Sequence, residues 1–85
     1  GEEFLTLLPE TTSEGGVTVA EKLRCTIESS TWKCDGQITQ VTATFGVACC
    51  DADIPPQECL RRADQALYEG KNSGRNCVVK WQEQP

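Results

Sequence analysis

The chain has 85 residues, which allows one domain of modest size, and a chain of this length buries only about 60 to 65% of its unfolded surface. Its 8 basic and 13 acidic residues give a formal net charge of −5, which argues against a nucleic-acid groove or an anionic membrane as the main partner. No apolar run approaches the roughly 18 residues needed to span a bilayer, and no basic-then-apolar leader is present. We therefore expect a soluble chain.

The six cysteines leave two interpretations open. An even number of cysteines is compatible with a secreted, disulfide-stapled domain, but their share of the sequence falls below the ~8–10% typical of disulfide scaffolds. Buried, reduced thiols are therefore our expectation. Zinc is excluded, because the chain has no histidine and no Cys-x-x-Cys pair. The six are Cys25, Cys34, Cys49, Cys50, Cys59 and Cys77.

The N-terminal part of the chain predicts a strand followed by a helix. Residues 4–8 are almost continuously apolar and end at Pro9, which is typical of a short strand buried on both faces. Thr11 and Glu14 fit a capping box, and apolar residues then recur at helical spacing through about Ser29. The helical face consists of Gly16, Ala20, Leu23 and Ile27.

A hairpin and a further strand follow. Asp35 and Gly36 predict a two-residue turn between residues 32 and 40, because glycine accepts the positive φ that such turns require. Residues 41–47 alternate between apolar and small or polar side chains, which predicts a strand with one strongly apolar face. Gly46 in that strand indicates a bulge or a close approach to another element.

The C-terminal part predicts a second helix and a last strand. Pro55 and Pro56 favour a helix start, and Gly74 favours its end. Leucine and alanine side chains recur at helical spacing between them, and residues 77–81 read as a strand. The predicted order is β-α-β(hairpin)-α-β within residues 1–85, which is an α+β fold with the layers of an α/β sandwich.

Two groups of residues have the chemistry of a phosphate site. Glu2 and Glu3 follow Gly1 at the mouth of the first strand, where carboxylates could hold Mg²⁺ over a phosphate that lies close to the glycine backbone. The alternative is that the two glutamates simply solvate a chain end. Lys71 and Arg75 are four residues apart, so they would face the same way if the helix continued, and could clamp phosphate oxygens. Alternatively, they offset the negative end of the helix dipole, and this interpretation is favoured when the pair is considered alone.

Other polar residues are assigned no chemistry. Arg61 and Arg62 lie beside Asp64 on the second helix, which predicts a surface ion pair of little energetic weight. Tyr68 is expected to pack between helix and sheet with its hydroxyl in water. Two aspartates in the preceding loop, at positions 51 and 53, are interpreted as turn formers.

Several stretches in order resemble one known family. The chain resembles the C-terminal half of a GGDEF domain, the diguanylate cyclase module, and it starts inside the signature motif in its Gly-Gly-Glu-Glu-Phe variant. The resemblance covers essentially the whole chain, and it implies that the N-terminal half of the domain is absent from residues 1–85. The stretches are Gly1-Glu2-Glu3-Phe4, Val41-Thr42-Ala43-Thr44-Phe45-Gly46-Val47-Ala48, Arg62-Ala63-Asp64-Gln65-Ala66-Leu67-Tyr68 and Lys71-Asn72-Ser73-Gly74-Arg75-Asn76.

The resemblance implies a role for each site residue. Two GTP molecules would be condensed into cyclic di-GMP and two pyrophosphates by a pair of facing domains, with Mg²⁺ or Mn²⁺ as the cofactor. Glu2 matches the metal-ligand carboxylate, which is also the proposed base, and Glu3 matches the second acidic position. Gly1 matches the turn on which the nucleotide lies. Lys71 and Arg75 match the basic pair that contacts the β- and γ-phosphates, which reverses the preference for the dipole interpretation.

The resemblance also implies partners and alternatives. We expect GTP, a second GGDEF domain in a homodimer, and an upstream sensory or receiver domain of a bacterial signalling protein as partners, with no nucleic acid and no direct membrane contact. The location would be cytoplasmic, with a membrane anchor in the parent protein left open, and residues 1–85 alone would be inactive. A degenerate, non-catalytic GGDEF domain that binds GTP or cyclic di-GMP is the alternative, and an extracellular disulfide module is a more distant one.

Overall fold

The first helix begins one residue later than the capping pattern predicted. The computed structural model describes residues 12–83, apart from the side chains of residues 13 and 34. Helix α1 spans Ser13–Ser29, and the hydroxyl of Thr12 accepts a 3.0 Å hydrogen bond from the backbone N–H of Gly15. Thr12, rather than Thr11, is therefore the cap, because an N-cap side chain must reach the N–H two or three residues further on. The predicted strand over residues 4–8 lies outside the described residues.

A two-stranded hairpin follows α1, as the sequence predicted. Strand β1 spans Trp32–Cys34 and strand β2 spans Gln37–Thr39, and they pair antiparallel. Asp35 and Gly36 join them with φ angles of 52° and 79°. Both central residues have positive φ, as in the mirror-image turns that match the twist of paired strands.

Within residues 12–83, the central sheet has two parallel strands joined by a helical crossover. Strand β3 spans Phe45–Val47, helix α2 spans Pro56–Asn72 and strand β4 spans Val78–Lys80. Phe45 is paired with Val78 and Val47 with Lys80. The start of α2 and the last strand are confirmed. The strand predicted over residues 41–47 is regular only at its end, because β4 offers a partner only from Phe45 onward.

Helices α1 and α2 cover opposite faces of this sheet. A Cβ placed on Gly46 would lie 2.3 Å from the carbonyl oxygen of Ala63 on α2, whereas Val47 faces α1, where its methyl would lie 3.1 Å from a Cβ placed on Gly16. Successive side chains of a strand point to opposite faces, so the two contacts place one helix on each side. The α+β fold with sandwich layers is thereby confirmed, with Ala20 of α1 and Ala66 of α2 at its buried centre.

The apolar face predicted for α1 is only partly buried. Gly16 and Ala20 are buried, and Ile27 is half-buried. Leu23, however, is 47% exposed. Small residues at positions 16 and 20 allow α1 to approach the sheet closely.

The expectation of buried, reduced cysteines is wrong for one pair, and the described free cysteines are not fully buried. Cys50, after β3, forms a disulfide with Cys59 in the second turn of α2, and their Cα atoms are 5.5 Å apart. Cys25 and Cys49 are free and exposed, and Cys77 is free and half-buried. Spacing alone gave no pairing, because the two partners meet only when the loop between β3 and α2 folds back on the helix.

Counting thiols tests this pairing. Protein purified and denatured without reductant should titrate two thiols fewer than protein treated with dithiothreitol, because Cys50 and Cys59 are bonded to each other. The double variant Cys50→Ser/Cys59→Ser should lower the free energy of unfolding by about 2 kcal/mol, because the cross-link no longer restricts the unfolded chain. Cys25→Ser is the control and should leave that free energy unchanged. An equal thiol count with and without reductant would contradict the pairing.

One added methyl at each of two glycines tests the contact between α2 and the sheet. Gly46→Ala should lower the free energy of unfolding by about 3 kcal/mol, because its Cβ would meet the backbone of Ala63 and Leu67, which cannot move without shifting α2. Gly16→Ala in α1 is the matched control. Its Cβ would meet a methyl of Val47 at 3.1 Å, with no backbone in the way, and alanine gains about 1 kcal/mol of helix propensity.

Urea unfolding followed by circular dichroism gives both values. The net change for Gly16→Ala should stay within about 1 kcal/mol of zero, since its two effects oppose each other. Equal destabilisation by the two substitutions would contradict the prediction that the backbone of α2 leaves no room for a side chain at position 46.

Candidate functional site

The structure describes two of the five predicted site residues and leaves three outside its described range. Gly1, Glu2 and Glu3 lie outside the described residues, so their predicted roles stay predictions. Lys71 and Arg75 are described: Lys71 lies in the last turn of α2, and Arg75 lies in the loop that follows the helix. No group of three or more metal-ligating side chains occurs within residues 12–83.

Lys71 and Arg75 do not form a helical i,i+4 pair, which corrects the geometric premise of the sequence analysis. Helix α2 ends at Asn72, and the N–H of Ser73 donates to the carbonyl oxygens of Glu69 and Gly70, at 2.9 and 3.2 Å. The chain then turns back toward the helix, because the N–H of Arg75 donates to the carbonyl of Gly70 at 3.0 Å. The two cations therefore come from the last helical turn and from the loop folded against it.

The loop after α2 has an unusual backbone. Gly74, Arg75 and Asn76 have φ angles of 116°, 65° and 51°. A left-handed conformation costs a residue other than glycine roughly 1–2 kcal/mol, although asparagine tolerates it better than arginine. Arg75 is thus held in a conformation that its own side chain disfavours, so contacts of its neighbours must maintain it.

Asn76 supplies most of those contacts. Its backbone N–H donates to the hydroxyl of Thr44 at 2.9 Å, just before β3. Its side-chain oxygen accepts a hydrogen bond from Arg24 of α1 at 3.0 Å, and its side-chain nitrogen donates to Glu28 of the same helix. One asparagine therefore connects the loop that carries Arg75 to both a helix and the central sheet.

Arg24 is tied to α1 as well as to the loop. Its guanidinium forms ion pairs with Glu21 and, at 3.4 Å, with Glu28, and its side chain is 17% exposed. The hydrogen bond to Glu21 raises the pKa of Arg24 above its ordinary value, opposed by partial burial. With two carboxylates beside it, this arginine carries little free positive charge toward a ligand.

The sequence analysis did not identify Arg24 or Asn76 as functional candidates. Glutamates three residues before and four residues after Arg24 indicate local ion pairs. The bond that joins it to Asn76, however, crosses between elements far apart in sequence. A local pattern carries no signal for such a contact.

A second polar cluster joins α2 to the end of β4. Glu58 in the first turn of α2 accepts hydrogen bonds from Arg61 and Arg62 at 2.7 and 2.8 Å. The guanidinium of Arg62 lies 4.3 Å from the centre of the Trp81 ring, and the indole N–H donates to the side chain of Gln65 at 2.9 Å. The predicted surface ion pair exists, but its carboxylate is Glu58 rather than Asp64, because Glu58 precedes the arginines by three and four residues.

Two further expectations have opposite outcomes. Tyr68 is 68% exposed, so the prediction that it packs between helix and sheet is wrong. The face of α2 toward the sheet is occupied instead by Ala66 and Gly70, which are both buried. Asp51 accepts a hydrogen bond from the backbone N–H of Asp53 at 3.0 Å, which confirms the interpretation of this loop as a turn.

Comparison with known proteins identifies a family and several relatives that match this chain. A family model described as the diguanylate cyclase GGDEF domain matches residues 1–77. Diguanylate cyclase A of Treponema denticola is 38% identical over 80 residues, covering 93% of this chain and 22% of that protein. The response regulator PleD of Caulobacter vibrioides is 33% identical over 82 residues, covering 93% of this chain and 18% of that protein.

A solved structure agrees with the fold. The GGDEF domain of DgcB from Caulobacter crescentus, in complex with c-di-GMP, matches with a TM-score of 0.82 at 25% identity, over 89% of this chain and 45% of that one. The fold and the sequence thus define an α+β domain of the kind found in GGDEF proteins. This chain belongs to the GGDEF family, and it spans about a fifth of the length of the curated relatives it matches.

The cluster around Glu58 predicts a pH dependence of stability. Hydrogen bonds from Arg61 and Arg62 lower the pKa of Glu58 from 4.5 to about 2. A carboxylate whose pKa is lowered by folding contributes stability above its ordinary pKa, and the contribution is lost as the pH falls through the folded value. Glu58→Gln should therefore lower the thermal midpoint most above pH 4.5, and the difference from wild type should vanish near pH 2.

Thermal scans at pH values from 6 down to 2 measure this difference. The control is Asp64→Asn, which removes a carboxylate of the same helix that pairs with neither arginine. Its midpoint should follow that of wild type throughout. A Glu58→Gln midpoint that also runs parallel to wild type across the range would contradict the assignment.

Proposed function

We propose that residues 1–85 form the C-terminal part of a diguanylate cyclase domain, which condenses two GTP molecules into cyclic di-GMP and two pyrophosphates. The observation that carries the proposal is membership of the GGDEF family, since the relatives that match 93% of the chain include a protein named as a diguanylate cyclase. The remaining part of the domain would precede this chain, which covers 45% of the solved domain that it resembles.

The reaction assigns a task to each group. The 3′-hydroxyl oxygen of one GTP attacks the α-phosphorus of the other, and the bond from that phosphorus to the bridging oxygen of the β-phosphate breaks. Glu2 accepts the hydroxyl proton, and pyrophosphate leaves with the bond electrons. Two such steps, one in each direction, close the ring of the product, which is why we propose that two domains face each other as a homodimer.

Carboxylates suit the metal that this chemistry uses. Glu2 and Glu3 supply oxygen ligands, which are the ligands that Mg²⁺ and Mn²⁺ prefer. A bound divalent ion would neutralise charge on the phosphates and orient them. Gly1 would allow the nucleotide to lie close to the backbone beside these carboxylates.

Lys71 and Arg75 would bind the β- and γ-phosphates of GTP. The end of α2 supports this proposal, because the backbone folds Arg75 back to the last helical turn, where Lys71 lies. Lysine supplies a compact charge and arginine a planar fork of donors. Lys71 also lies where it would offset the helix dipole, and a positive charge at this place serves both purposes.

The setting of the domain is part of the proposal. The named response regulator among the relatives supports an upstream sensory or receiver domain that controls this one. No helix within residues 12–83 is long and apolar enough to cross a membrane. Because GTP is an intracellular substrate, we place the activity in the cytoplasm. Thiols are kept reduced in that compartment, so activity should not require the bond between Cys50 and Cys59, which would form once the purified protein is kept without reductant.

Assay of the full-length protein that carries this chain tests the proposal. With GTP and MgCl₂, product measured by mass spectrometry should be cyclic di-GMP and pyrophosphate in a ratio of one to two. Glu2→Gln should lower kcat at least about 100-fold, because the base is lost. Lys71→Ala and Arg75→Ala should each raise KM for GTP about tenfold, because each removes a charge-assisted hydrogen bond to phosphate.

Lys33→Ala is the matched control, because it removes an exposed positive charge from the hairpin and should leave kcat and KM unchanged. A folded, dimeric protein that forms no product would overturn the catalytic proposal. If the same protein binds GTP or cyclic di-GMP in a calorimeter, the alternative of a degenerate binding module is supported instead.

A further inference from the structure

The loop that carries Arg75 is held by residues on two other elements. Its three consecutive positive φ angles, at residues 74, 75 and 76, need external support, because arginine disfavours this conformation. The carbonyl of Gly70 holds the N–H of Arg75, and the hydroxyl of Thr44 holds the N–H of Asn76. The backbone on both sides of the Arg75 side chain is therefore fixed.

The strongest long-range support comes from α1. Arg24 donates to the side-chain oxygen of Asn76, and Glu28 accepts from its side-chain nitrogen. Both ends of the amide are thus engaged, and the amide cannot rotate without breaking one of the two bonds. Arg24 is itself paired with Glu21 and, at 3.4 Å, with Glu28, so its guanidinium is held on the surface of α1.

We infer that Arg24 and Asn76 are positioning residues for Arg75, whose place beside the last turn of α2 depends on their hydrogen bond. The inference rests on the proposed role of Arg75 in binding the phosphates of GTP. Neither residue needs to touch the nucleotide. Arg24 is mostly shielded and paired with two carboxylates, which makes it a poor direct ligand for phosphate.

In this arrangement Arg75 would bind the phosphates, and Arg24 would hold the loop that carries Arg75. Arg75 is exposed and lies beyond the end of a helix, where a long flexible side chain alone would sample many positions. Fixing its backbone reduces the conformational freedom that is lost when it binds phosphate. Loss of Arg24 should therefore weaken GTP binding without changing the chemical step.

A double-mutant cycle in the full-length protein tests the inference. Arg24→Gln should raise KM for GTP about fivefold and change kcat less than twofold. In an Arg75→Ala background the same substitution should have no further effect on KM, because Arg24 acts through Arg75. Arg24→Lys should recover part of the loss, because it can still donate one hydrogen bond to Asn76.

The control is Arg61→Gln, which removes an arginine that also pairs with a glutamate three residues before it, but on the outer part of α2. It should leave KM unchanged in both backgrounds. Thr44→Val tests the same loop independently of Arg24. It removes the hydroxyl that accepts the hydrogen bond from the N–H of Asn76, and it keeps the side-chain volume. It should raise KM in the same direction even if Arg24→Gln folds poorly.

Hydrogen exchange provides a readout that does not depend on catalysis. Arg24→Gln should raise the exchange rates of the Arg75 and Asn76 amides at least tenfold, while amides of β3 and β4 stay protected. Unchanged exchange at these two amides would overturn the inference, whether or not the protein makes cyclic di-GMP. An effect of Arg24→Gln on KM that persists in the Arg75→Ala background would also overturn it. Inactive wild-type protein with the predicted exchange pattern would count against the proposed function alone.

Discussion

The contact between the backbones of β3 and α2 at Gly46 is the constraint on which the rest of the structure depends. Any side chain at this position would overlap Ala63 or Leu67 of the helix. The helix can therefore lie directly on the strand, and β4 returns beside β3 in parallel register. The same approach fixes the place of the last turn of α2, where Lys71 lies. A missing side chain in the core thus sets the position of charges at the surface.

Much of the fold could be predicted from local rules. Three features each follow from the covalent structure of one or two residues: glycine's tolerance of positive φ at the turn, proline's fixed φ at the start of α2, and the missing side chain at Gly46. The exposure of Tyr68 could not be predicted in this way, because helical spacing does not say which side of a half-apolar helix meets the sheet. The Cys50–Cys59 pair likewise depends on how a loop folds back, which spacing does not encode.

In the candidate site, too, local sequence predicts some features and tertiary contacts determine the others. Sequence reasoning proposed Lys71 and Arg75 as a pair on a continuous helix, whereas the chain leaves the helix at Asn72 and reverses through left-handed residues. Arginine has no propensity for that conformation, so its own identity could not have indicated it. The cause lies in Asn76 and its partners on α1. The local sequence supplies the charges, and tertiary contacts decide where they are held.

The length of α2 has a consequence for how sequences of this kind can change. Its 17 residues extend over about 25 Å, with the contact to Gly46 near the middle and the cations at one end. A deletion of one residue between these points would rotate the end of the helix by about 100° and shorten it by about 1.5 Å. Substitutions on the outer face of α2 leave the rotation and the distance between these two points unchanged. The helix therefore behaves as a spacer that tolerates changes of composition much better than changes of length.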